Sequence, residues 1–146
     1  MTNNEAYKFL GQVRGCDNRI KQLSRTIEAL RYSLLPGAIR YDTDRVQTTP
    51  TNKTEELFAR IDELETELAA EKDKQITAIL TVEGAIRRMP ECKEKVVLLQ
   101  FYIGRISIQD IADGMGITVR HCYRMRRNAI SMFCGMEQEG ECDAGN

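Results

Sequence analysis

The sequence predicts an all-α fold: a long antiparallel helical hairpin forming a coiled-coil-like arm, followed by a C-terminal domain of short helices. Three observations predict it. Apolar residues recur at alternating three- and four-residue spacings over much of residues 1–89, the signature of amphipathic helices with a heptad seam. Helix breakers are scarce, with 10 Gly and 3 Pro in 146 residues. The chain is 29% charged and only 6% aromatic, with no Trp, which suits thin helical packing better than a sandwich or barrel.

The first helix is expected over residues 5–35. Ala6, Phe9, Val13, Cys16, Ile20, Leu23, Ile27, Leu30 and Leu34 form its seam, and Pro36-Gly37 stops it. Gly11 and Gly15 weaken the first turns. Residues 36–53 read as a linker, with two Pro, several Thr and no apolar period. Thr54 then serves as an N-cap, with Glu55 and Glu56 where the helix dipole favours acids. Leu57, Ile61, Leu64 and Leu68 make a second seam, and Ile76, Ile79, Val82, Ile86 and Met89 continue it after an expected stutter near residues 71–75. Pro90 ends this helix at about Arg88. Two helices of similar length joined by a loop fold back most simply as an antiparallel hairpin. Each carries only one apolar stripe, so self-association is expected, a homodimer first among homo-oligomers.

Residues 90–134 then change pattern to three short helices. The first runs from Glu91 to about Tyr102 and ends at Gly104. Ser107 caps the second, Ile108 to about Met115, with Asp110 in its first turn. The third, residues 118–132, is opened by Thr118. Ala112 provides the small side chain needed where the second and third helices approach. Gly116, four residues on, suits a tight turn requiring positive φ. Ile111, Met115, Ile117, Cys122 and Met125 are the inward positions. This order is that of a helix-turn-helix.

Charge is segregated. Residues 1–35 carry six basic and three acidic side chains, and residues 54–89 five basic and nine acidic ones. Residues 118–134 hold Arg120, Arg124, Arg126 and Arg127 with no acid, whereas the last twelve hold Glu137, Glu139, Glu141 and Asp143 with no base. Within a net charge of −1, the chain thus offers one basic patch. In a recognition helix lying in the major groove, Arg120 and Arg124 are the expected base readers, because the guanidinium fork matches guanine O6 and N7. His121 is a third candidate. Ser107, Tyr123, Arg126 and Arg127 are candidates for phosphate contacts, and Thr118 joins the same surface. Residues 135–146 are expected to be a disordered acidic tail.

Other classes find little support. Five cysteines without C-x-x-C spacing and a single histidine do not suggest a zinc site, and no metal or cofactor is expected. Cys122 reads as a small core side chain rather than a nucleophile. No phosphate-binding loop, H-E-x-x-H or nucleophile elbow is present, so the chain is not expected to be an enzyme. With no leader-like segment and no apolar run of membrane-spanning length, the expected location is the cytoplasm, without a membrane partner.

The run Ile106–Ile130, "ISIQDIADGMGITVRHCYRMRRNAI", resembles the helix-turn-helix of sigma-factor region 4. More closely, Thr118-Val119-Arg120-His121-Cys122-Tyr123-Arg124-Met125 resembles the "SxRHVYRLxxRA" run of the RinA/ArpU-type regulators of phages and prophages of Gram-positive bacteria. Arg45-Val46-Gln47-Thr48-Thr49 is similar to that family's "RVQSS" linker. Cys122 and Asn128 depart from the pattern, where a branched aliphatic and an Arg are usual. The resemblance implies a transcriptional regulator of late or packaging genes, acting on double-stranded DNA in the bacterial host cell. Two alternatives stand beside it: a small terminase-like packaging subunit, and a sigma-like module that binds RNA polymerase or another host protein.

Overall fold

The computed structural model describes residues 1–35 and 50–144. They form six α-helices and a short π-helical segment, with no strand among the described residues. In chain order these are α1 (Asn3–Leu10), α2 (Gln12–Ser33), α3 (Pro50–Arg87), α4 (Lys93–Leu98), the π segment (Leu99–Ile103), α5 (Ile108–Met115) and α6 (Val119–Ala144).

The expected first helix is two, joined at Gly11. Thr2 caps α1 through a capping box with Glu5: Glu5 N–H donates to Thr2 Oγ1 at 3.2 Å, and Thr2 N–H donates to Glu5 Oε2 at 2.7 Å. These bonds hold the Glu5 carboxyl below its usual value. Helix α3 begins at Pro50 rather than Thr54, consistent with the tolerance of Pro in a first turn. The expected linker therefore ends by residue 49, and residues 36–49 lie outside the described ones. Helix α3 stops at Arg87, ahead of Pro90.

The expected stutter is absent. Leu57, Ile61, Leu64, Leu68, Glu71, Gln75, Ala78 and Val82 follow unbroken four–three spacing, and all are buried or half-buried. Two polar residues hold seam positions, while Ile76, which the sequence placed in the seam, is 58% exposed. Gln75 Nε2 is buried without a hydrogen-bond partner.

The chain divides into two compact units, Cys16–Lys74 and the pair of segments Met1–Gly15 with Gln75–Asn146. In the first, Ile27, Ile61 and Leu64 form a thin core flanked by Leu23, Leu30, Leu34 and Leu68. Arg19 pairs with Glu71 at 3.0 Å and Arg31 with Glu65, so α2 and α3 run in opposite directions there. The Arg19 guanidinium holds the Glu71 carboxyl below its ordinary range.

The second unit differs from the expected division at residues 89 and 90. Ala6, Leu10 and Val13 share a core with Val82 and Ile86 of α3 and with Ala129, Ile130 and Phe133 of α6. Phe9 and Phe133 stack with ring centroids 5.9 Å apart. Leu10, Ile86 and Phe133 are fully buried, and each such side chain contributes about 1.5–3 kcal/mol. A smaller cluster of Val97, Ile108, Ile111, Ala112, Cys122 and Met125 lies among α4, α5 and α6.

The segment expected as a disordered tail is helical through Ala144. Its first part is docked: Glu137 accepts from Arg88 Nη2 at 3.0 Å and Gln138 Nε2 donates to Met1 O at 3.3 Å, just beyond Cys134, whose Sγ lies 3.7 Å from Thr2 O. Packing carries this helical end although its acids oppose the dipole. Among the described residues no helix is long and apolar enough to cross a membrane.

Candidate nucleic-acid interface

The site is built on α5, the turn at residues 116–118 and the start of α6. Ser107 caps α5, its Oγ accepting from Asp110 N–H at 3.2 Å. At the other end Gly116 takes φ 69°, ψ 32°, the left-handed conformation that closes a helix with little strain only for glycine. Ile117 N–H donates to Ala112 O at 3.0 Å and Gly116 N–H to Asp113 O at 3.3 Å, which together form a Schellman stop. Thr118 then caps α6, its Oγ1 accepting from His121 N–H at 3.1 Å. Ala112 is fully buried, as the close approach of α5 and α6 requires, and Ile111, Cys122 and Met125 lock the two helices together.

The first helix of this region, expected from Glu91 to about Tyr102, runs helically from Lys93 to Ile103 and ends at Gly104 as expected, but its second half is π-helical. Helix α4 widens into the π segment, where Gly104 N–H donates to Leu99 O at 2.9 Å. A Cβ on Gly104 would lie 2.8 Å from Gln100 O, so glycine is required there for closeness. The left-handed residue that turns the chain is Arg105, with φ 57°.

Of the candidate contact residues, Ser107, Thr118, Arg120, His121, Tyr123, Arg124 and Arg127 are exposed. Arg120, Arg124 and Arg127 are spaced at i, i+4 and i+7, which places them on one face of α6. None of the three pairs with a carboxylate among the described residues, and the first turn of α6 contains no acid. Arg126 is different. It is half-buried, with its guanidinium 4.8 Å from the Phe101 ring centroid and 5.3 Å from that of Tyr123. Its Nε is buried without a partner.

Two contributors were not expected. Arg14 of α2 lies 4.0 Å from the Phe101 centroid, and its Nη1 donates to Phe101 O at 2.8 Å. Arg14, Phe101, Ser107, Ile108, Gln109, Val119, Tyr123 and Arg126 line an open groove at the N-terminal ends of α5 and α6. The contact between Arg14 and Phe101 spans 87 residues, and no local pattern announces such a pairing.

The thiols here are unreactive in character. Burial pushes both Cys122 and Cys134 above the usual thiol value, so they stay protonated near neutrality. Among the described residues no three His, Cys, Asp or Glu side chains gather as a metal site.

The chain belongs to the family described as "Protein of unknown function (DUF1492)", whose model matches residues 37–133. No curated protein and no solved structure matches it.

Proposed function

We propose that this member of the family is a sequence-specific DNA-binding regulator. Helices α5 and α6 act as its helix-turn-helix, α6 lies in the major groove, and the α2–α3 pair is an antiparallel hairpin arm that carries self-association. One observation carries the reading: Arg120, Arg124 and Arg127 form an exposed row in the N-terminal part of α6, without carboxylate partners among the described residues. Arg120, in the first turn, opposes the helix dipole, and the three like charges along one face repel one another. The arrangement therefore gives the fold nothing, whereas a polyanion would turn it to use. Arg120, Arg124 and His121 face outward where a recognition helix meets base edges. Arg127, with Tyr123, suits phosphates. The resemblance to sigma region 4 and to the RinA/ArpU-type regulators supports promoter DNA as the target.

Fluorescence anisotropy with random duplex, and with duplexes selected for tight binding, tests the reading at two salt concentrations. Arg120→Ala and Arg124→Ala lose about 1–3 kcal/mol on the selected sequence and little on random DNA. Arg127→Ala weakens both alike and lowers the salt slope by about one counterion. Uniform losses from all three leave a sequence-blind binder. Wild-type protein that binds no duplex at low salt overturns the proposal in favour of a protein partner.

A further inference from the structure

The groove beside the recognition surface has a chemistry that the protein alone does not complete. Two guanidiniums share one aromatic ring, Arg14 at 4.0 Å and Arg126 at 4.8 Å from the Phe101 centroid. Among the described residues no carboxylate lines the groove and neither arginine has an ion-pair partner. Both charges border the same groove, and the Phe101 ring offsets only part of their mutual repulsion. Arg126 Nε is also buried without an acceptor, a condition that ordinarily calls for a ligand or a water.

The remaining features of the groove are donors. The Ser107 hydroxyl and the Gln109 side chain stand at its edge, and the Ile108 and Gln109 amides open α5 ahead of the Asp110 amide that Ser107 caps. An anion in this groove, within reach of both Arg14 and Arg126, relieves the repulsion and gives the orphaned Nε its acceptor. A tetrahedral oxyanion fits best, because two guanidinium forks can each engage a different pair of its oxygens.

We propose that this groove is a phosphate site, and that Arg14 and Arg126 clamp one backbone phosphodiester of bound DNA. The phosphate chemistry stands on the groove itself; its assignment to a nucleic-acid backbone rests on the DNA-binding reading. Val119 and Tyr123 line the groove one helical face away from Arg120 and Arg124, so a phosphate held here flanks the bases those two would read. Arg126 thus keeps a phosphate role, but as half of a pair whose other member comes from the N-terminal segment. Such a pair fixes how α6 enters the DNA groove without reading sequence.

Heteronuclear NMR of the full chain, following arginine side-chain Nε–H signals, tests both parts. Titration with inorganic phosphate at matched ionic strength should shift the Arg14 and Arg126 signals saturably and leave Arg120 unmoved. Arg14→Gln and Arg126→Gln should each abolish saturation. On duplex DNA, Arg14→Gln should weaken binding several-fold, alike on selected and random sequences, and lower the salt slope by about one. Arg14→Lys should keep that slope. A purely structural Arg14 would lower the melting temperature of Arg14→Gln while leaving the slope unchanged in the folded protein. Duplex binding by wild type, with no phosphate response and an unchanged slope in Arg14→Gln, overturns this inference and leaves the DNA reading intact. Saturable phosphate binding without any duplex binding does the reverse: the site stands for a small phosphate ligand, and the DNA reading falls.

Discussion

Replacing Lys95 by Met should destabilise the protein by roughly 2 kcal/mol, and the structure shows where that figure comes from. Lys95 is 5% exposed, and its ammonium donates to Arg87 O at 3.1 Å, Met89 O at 3.2 Å and Glu91 Oε1 at 2.6 Å. It thereby satisfies carbonyls at the end of α3 and ties that end to α4. Met keeps most of the apolar stem but leaves both carbonyls without a donor. The Met89 bond is buried, so its loss carries a penalty of about 1–3 kcal/mol, whereas the half-buried Arg87 carbonyl can take water and loses about 0.5–1.5 kcal/mol. Relief from burying an ammonium returns part of this. Glu91 is 87% exposed, so its ion pair adds little. For a chain of this size the net loss lowers the melting temperature by roughly 4–8 °C. Urea unfolding followed by circular dichroism measures it, with Glu91→Gln as a near-neutral control. Equal or greater stability in Lys95→Met would refute the reasoning, because the cost of burying the charge would then match its bonds.

Two further substitutions test the turn and the seam. Gly116→Val should lose about 1–3 kcal/mol by backbone strain alone, because a Cβ there meets nothing within 4 Å. Gly116→Asn, which tolerates the left-handed region, should lose far less, and equal losses in thermal melts would contradict the strain account. Gln75→Leu should stabilise by about 1–2 kcal/mol, since it replaces an unpartnered buried amide at a seam position. A lower unfolding midpoint in urea would show that the amide is satisfied in the native state.

Where sequence and structure agree, the signal was local. Ser107, Gly116 and Ala112 each owe their place to a cap, a left-handed turn and a close helix approach, and all three requirements act within ten residues. The seam of α3 departs from the expected stutter for an equally physical reason: Glu71 and Gln75 hold heptad positions as polar residues, so the hydrophobic pattern changes phase where the backbone does not. Glu71 is tolerated there because Arg19 reaches it. The acidic C-terminal stretch looked like a tail because composition records charge and not docking. Its order depends on Met1 and Arg88, which no window around residue 137 contains. Arg14 was hidden in the same way, as one more charge on the outer face of an amphipathic helix.

The packing of α1 against the far end of α6 also sets an order of events during synthesis. The contact from Cys134 to Thr2 spans 132 residues, and Ala6, Leu10 and Val13 find their partners near residues 129–134 only once those have left the ribosome. Residues 16–74 meet no such delay, because their core joins segments made close together in time. The apolar face of residues 6–13 therefore stays uncovered until residues 129–134 emerge, and the surface that carries Arg14 cannot be completed before then.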